Sequence, residues 1–179
     1  YGKPADGVDA VQLELSEISY MDEPPPFGFR EDRANEVRPH LRAMIEALLK
    51  ADLAERHRHN VVSTSKYTIQ RAADGLFEEV VAEVANEYRN TTHTKELFDS
   101  LLAKLILRPE RFDLIVTPNE YGDFLSDMVY GLIGSIGLGA SASYAFTPSH
   151  QPNIGIFDPA GGTAPDIAGQ GRINPTATL

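Results

Sequence analysis

Asp123 and Asp127 stand four residues apart in Asn119-Glu-Tyr-Gly-Asp-Phe-Leu-Ser-Asp127, directly after the apolar run Leu114-Ile115-Val116. On a helix they share one face a turn apart, where like charges repel by about 0.2–0.5 kcal/mol. A bound cation reverses that sign. Two hard oxygen donors on one helical face suit Mg2+ or Mn2+, which keep several waters and leave room for a substrate. The same acids also fit a solvated helix start, where capping and the helix dipole favour Asp.

A second stretch, from Phe157 through Asp158, Gly161, Gly162, Thr163, Ala164, Pro165, Asp166 and Ile167 to Gly169, is long and rich in small residues. Small residues let a ligand lie against main-chain donors, and an Asp can accept both hydroxyls of a ribose. A plain surface loop has the same composition. Gly131 to Gly139 holds four glycines and Ala140 to Tyr144 is small and polar. Without the Lys-Ser/Thr ending of a phosphate loop or the strand-first placement of a dinucleotide turn, this region reads as a tight turn with close backbone approach. The histidines of Arg56-His57-Arg58-His59 could ligate a metal, but a basic helix C-terminus accounts for them.

The elements that must position these residues follow from periodicity. Val11, Leu13 and Leu15 alternate as in a half-buried strand, and residues 21 to 34, with Pro24-Pro25-Pro26, read as an exposed connection. Pro39 is expected to interrupt helical structure, with a helix after it on the stripe Leu41, Met44, Ile45, Leu48, Leu49 and Leu53. Asn60 to Ser65 reads as a strand that delivers Lys66 at its end. Asp74 is a plausible N-cap for a helix bearing Leu76, Phe77, Val80, Val81, Val84 and Tyr88. The pattern then predicts a helix from Lys95 to Leu107 carrying Asp99, a strand over 113 to 117, and a helix from Asn119 to about Gly131. Alternating strands and helices define an α/β arrangement, with strand order and direction left open.

Composition bounds the partners. The chain has 179 residues, 42% hydrophobic and 23% charged, enough for one domain with a real core. A net charge of −10 argues against nucleic acid and anionic membranes, because phosphate binding draws on a basic surface. With no cysteine, disulfides and thiolate metal sites are excluded. No apolar run approaches the roughly 20 residues needed to span a bilayer, and the expectation is a soluble, cytoplasmic protein. The chain opens on Tyr1-Gly2-Lys3-Pro4 without Met and stops where Asn174-Pro175-Thr-Ala-Thr resembles a helix start. It is therefore expected to be an internal piece of something longer.

Taken together, Asn119 to Asp127, Gly-Ser-Ile-Gly-Leu138, Ala160-Gly-Gly-Thr-Ala-Pro-Asp-Ile-Ala-Gly169 and Asn174-Pro175 resemble the β-decarboxylating dehydrogenases of 3-isopropylmalate, isocitrate, homoisocitrate and tartrate. Several separated motifs fall in that family's order, from about Val61 to Leu179. The resemblance implies a two-domain α/β fold of the isopropylmalate dehydrogenase kind. Residues 1 to 131 would be the substrate-binding and dimerisation domain, with an arm over about 5 to 35, and 132 to 179 part of the NAD-binding domain. It further implies that Lys66 is the catalytic lysine, that Tyr1 is the catalytic tyrosine of an element like Tyr-Phe-Gly-x-Pro, and that Asp123 and Asp127 of one subunit share Mg2+ or Mn2+ with Asp99 of its partner. An obligate homodimer with shared active sites follows.

By the same resemblance, Asp158 through Asn174 would wrap the adenosine half of the cofactor. Asp166-Ile167 resembles the NAD-dependent members, whereas NADP-dependent bacterial isocitrate dehydrogenases tend to have Lys-Tyr; an acid there accepts from a 2'-hydroxyl and repels a 2'-phosphate. The implied activity is metal-assisted oxidative decarboxylation of a small 2-hydroxy acid, with Lys66 as base and Tyr1 returning a proton. The sequence departs from the family at Lys66-Tyr67-Thr68, where Lys-Ala-Asn is common. Tyr1-Gly2-Lys3-Pro4 and Gly161 lean toward 3-isopropylmalate, and Asp74-Gly75-Leu76-Phe77 toward isocitrate. A non-catalytic, dimerising family member is the reading from another class.

Overall fold

A computed structural model describes residues 9–13, 22, 28–55, 60–146 and 152–177. Among the described residues ten strands and α-helices follow one another: β1 (Asp9–Leu13), α1 (Glu31–Glu55), β2 (Asn60–Ser65), α2 (Ala73–Ala85), β3 (Thr92–Leu97), α3 (Phe98–Leu107), β4 (Leu114–Pro118), α4 (Asn119–Ile133), β5 (Ala140–Phe146) and β6 (Pro152–Pro159). The first four strands form one sheet in the order β1-β4-β2-β3, and all its pairings are parallel. The last two form an antiparallel hairpin. The α/β expectation holds, and the direction that periodicity left open is parallel.

Strand alternation sorts the sheet's side chains onto two faces. Val61, Leu114 and Val116 pack with Ala34, Leu41 and Ile45 of α1 and with Leu76, Phe77, Val80, Val81 and Val84 of α2. On the other face Val62 and Ile115 pack with Phe98 and Leu101 of α3 and Tyr121 and Leu125 of α4. Helices therefore cover both faces, as a parallel sheet requires.

Four local expectations need correction. Helix α1 begins at Glu31 and runs through Pro39, so residues 31 to 34 are helix and not connection. Pro39 lies on the exposed side, while Ala34, Val37, Leu41 and Ile45 are buried. Burial of that stripe outweighs the proline, whose cost inside a helix is about 3 kcal/mol. Thr92–Leu97 is a strand and the following helix starts only at Phe98. As the polar edge strand, β3 shows no apolar alternation, and the stripe of Leu97, Leu101, Leu102 and Leu105 masked the boundary. Ala140–Phe146 and Pro152–Pro159 pair as a hairpin that absorbs Phe157 and Asp158, where a turn and a loop were expected. Finally, Asp74 lies inside α2, whose N-cap is Ala72. Tyr1, Leu15, the proline triplet and the basic run from Arg56 to His59 lie outside the described residues.

The glycine-rich turn is as tight as expected. Gly134 closes α4 in the left-handed region at φ 89°, which favours glycine. Gly139 lies on the buried Tyr130 ring: a Cβ there would come within 2.2 Å of ring carbons. Gly137 is pressed against Asn174, with the Ala177 N–H donating to the Gly137 carbonyl, so the end of the loop is tied back to this turn.

Candidate active site

The parallel sheet brings three of the candidate residues to one end. Lys66 follows the last residue of β2, Asp99 is the second residue of α3 just past β3, and Asp123 lies in the second turn of α4 just past β4. Parallel strands end on the same side, and the crevice beyond their carboxyl ends is where open α/β sheets bind ligands.

Lys66 and Asp99 meet directly, with Nζ donating to Oδ1 at 2.7 Å. The amine holds the Asp99 carboxyl below the usual carboxylate range. On α4, Tyr121 and Leu125 face the core, while Asp123 and Asp127 are exposed on the other side. Asp99 does not join them within one chain: among the described residues no three His, Asp or Glu side chains gather to hold a metal. The donor chemistry itself fits a divalent ion, with two exposed carboxylate groups one helical turn apart.

Behind Lys66 lies a buried polar network that periodicity did not reveal. Asp74 Oδ2 accepts the Lys66 main-chain N–H at 2.8 Å and the Tyr121 hydroxyl at 2.7 Å. Burial pushes the Asp74 carboxyl up, and burial together with Asp74 pushes the Tyr121 phenol well above its ordinary value. One turn along α2, Glu78 accepts from the hydroxyls of Ser63 and Ser65, each at 2.5 Å. Burial raises Glu78 and lowers His93, whose Nε2 is 2.8 Å from Ser63 Oγ. The available signal was the spacing of Asp74 and Glu78: both fall inside the apolar stripe of α2, with Phe77 and Val81. Tyr67, the departure beside Lys66, carries the Lys95 ammonium 4.4 Å from its ring centroid.

The segment expected to hold adenosine is exposed from Asp158 to Asn174, apart from half-buried Ala160, Gly161, Ala164 and Ile167. Asp158 pairs with Ser141 in the hairpin. Gly162 and Ala164 take left-handed conformations at φ 60° and 42°, on either side of Thr163, and Pro165–Ile167 forms a 3-10 turn that presents Asp166 to solvent. Asn174 Oδ1 accepts from the Thr176 N–H and hydroxyl at 3.1 and 2.7 Å. This kinked main chain with small side chains fits close approach of a dinucleotide.

Residues 28 to 179 match the family described as isocitrate/isopropylmalate dehydrogenase. The chain belongs to that family of NAD(P)-dependent oxidative decarboxylases, whose members are dimeric, bind small acids and typically use a divalent metal. Subunit 2 of the mitochondrial NAD isocitrate dehydrogenase of Kluyveromyces lactis is 44% identical over 125 residues, 68% of this chain and 32% of that one. The 3-isopropylmalate dehydrogenase of Thermotoga maritima is 36% identical over 176 residues, 97% and 47% of the two chains. Crystalline isocitrate dehydrogenase from Methylococcus capsulatus superposes with a TM-score of 0.69 at 35% identity, covering 78% of this chain and 39% of that one. The chain thus spans about a third to a half of the length of these relatives.

Proposed function

We propose that the natural full-length protein oxidatively decarboxylates a 2-hydroxy acid with NAD and Mg2+ or Mn2+. The observation that carries this reading is the alignment of Lys66, Asp99 and Asp123 past the ends of three neighbouring parallel strands, with the Lys66 amine on Asp99. When bound, the divalent ion would draw electrons from the substrate's oxygens and NAD would take the hydride. Asp123 and Asp127 of one protomer, with Asp99 of the other, would hold the ion. Since Lys66 and Asp99 touch within one chain, Lys66 belongs to the same half of such a shared site.

The chain's own residues then divide the work. To take the hydroxyl proton, Lys66 would first have to lose its own proton to solvent and let go of Asp99, which the same divalent ion, once held by Asp99, would favour. Tyr1 would return a proton to the product carbon. Asp158, Gly161, Gly162, Thr163, Ala164, Pro165, Ile167 and Asn174 would line the adenosine, and Asp166 would accept the ribose hydroxyls and so select NAD. In this reading, residues 1 to 131 would belong to the substrate and dimer part and 132 to 179 to part of the cofactor domain. Cytoplasmic residence belongs to the same proposal. Separately, among the described residues no helix is long and apolar enough to cross a membrane.

For the substrate we favour 3-isopropylmalate, supported by Gly161, by Tyr1-Gly2-Lys3-Pro4 and by similarity to the Thermotoga maritima enzyme over 97% of the chain. Isocitrate is the second reading, favoured by the 44% identity to the Kluyveromyces lactis subunit and by Asp74-Gly75-Leu76-Phe77. Absorbance of NADH formed by the full-length protein with NAD, Mn2+ and each acid in turn tests both. Turnover of 3-isopropylmalate supports the first choice and preference for isocitrate replaces it. No NADH with any 2-hydroxy acid would leave a dimerising protein without turnover.

A further inference from the structure

We infer that Asp74 is a positioning residue for this reaction: through one carboxylate oxygen it locks the main chain at Lys66 to the Tyr121 phenol, and so fixes the amine relative to α4. The inference rests on the functional reading above and adds a residue that touches neither substrate nor cofactor. Lys66 lies one residue past β2, so its N–H has left the strand and donates to Asp74 Oδ2 at 2.8 Å. The same oxygen accepts the Tyr121 hydroxyl at 2.7 Å. Gln70 closes the ring: its main-chain N–H donates to the Lys66 carbonyl at 2.9 Å and its amide donates to the Tyr121 hydroxyl at 3.1 Å.

This ring joins the Lys66 and Asp123 segments, and a ring contact of Tyr121 adds the Asp99 segment. Tyr121 is two residues before Asp123, and its ring lies 5.0 Å from that of Phe98, the neighbour of Asp99. Asp74 is 4% exposed and Tyr121 7%, so water cannot readily replace a lost partner. Glu78 anchors β2 from the same helix through Ser63 and Ser65, which makes α2 the fixed support against which Lys66 is held. An amine displaced by even an ångström loses its alignment with the proton it must take.

The test uses the natural full-length protein, with active sites counted by Mn2+ titration and rates measured well below each variant's melting temperature. Asp74→Ala should lower kcat per Mn2+ site by about tenfold to a hundredfold while KM for the acid changes by less than about threefold. Asp74→Asn, whose amide oxygen can accept both donors, should stay within about threefold of wild type. Tyr121→Phe should add nothing to Asp74→Ala, since both cut the same link. An unchanged kcat in Asp74→Ala, a loss that only follows the number of Mn2+ sites, or an Asn variant as impaired as Ala would each overturn the inference. Hydrogen exchange separates it from the functional reading. A Lys66 amide that exchanges fast in wild type defeats the lock whatever the activity. A protected amide, exposed by Asp74→Ala, in a protein that forms no NADH upholds the lock and defeats the reaction it was meant to serve.

Discussion

Lys66 Nζ lies 2.7 Å from Asp99 Oδ1, although the two residues follow different strands, β2 and β3. The pairing of those strands runs Asn60 to Thr92 through Ser65 to Leu97, so Lys66 stands one residue and Asp99 two residues past the last pair, side by side beyond the strands' carboxyl ends. An exposed pair of this kind adds little to stability, and its place at the strand ends points to chemistry.

Asp99→Asn should therefore leave the melting temperature of the metal-free protein at pH 7 within about 2 °C of wild type. Because Lys66 holds the folded Asp99 carboxyl below its unfolded value, the pair contributes above the ordinary carboxylate range. That contribution is lost as pH falls through the depressed value. A large drop in melting temperature at pH 7 would show that the pair is a structural support.

Glu78 gives the opposite dependence on pH. Its folded carboxyl is raised by burial, so the unfolded chain releases the proton first and stability falls as pH climbs from the ordinary carboxylate range toward the raised value. Glu78→Gln keeps a hydrogen-bonding group between Ser63 and Ser65 but cannot ionise. Thermal melts should show the variant matching wild type near pH 4 and exceeding it by a few °C, roughly, at pH 8. Parallel curves at all pH values would contradict burial as the cause.

Gly139→Ala should cost about 1–3 kcal/mol in urea unfolding, since its Cβ would fall inside the Tyr130 ring. Combining it with Tyr130→Leu should recover part of the loss; purely additive effects would contradict the contact.

Leu101 is fully buried beneath α4, next to Tyr121 and Leu125. Leu101→Ala should cost about 2–5 kcal/mol in urea unfolding, and a cost under about 1 kcal/mol would mean that the second face of the sheet is loosely packed.

Apolar stripes made the helices and the central strands legible in the sequence, because Val61, Leu114 and Val116 have only one face of α1 and α2 to meet. β3 was not legible: an edge strand of Thr, His, Lys and Glu is fixed by main-chain pairing with β2, which leaves no apolar period. The hairpin hid for a related reason, since Ile154, Ile156 and Phe157 are all exposed and mark no single inner face. At the candidate site, motif and resemblance singled out Lys66 and the three acids, and the structure brings Lys66 and Asp99 together. Asp74 and Tyr121 were not, because their roles arise only when α2 and α4 close on opposite faces of β2.

Calorimetric titration of the natural full-length protein with Mn2+, before and after Asp123→Asn, tests the central claim most directly. If Asp123 is one of three carboxylate ligands as proposed, its loss should weaken binding at least about tenfold with the fold unchanged. An affinity equal to wild type would contradict the assignment of this edge as a metal site, and with it the reaction proposed here.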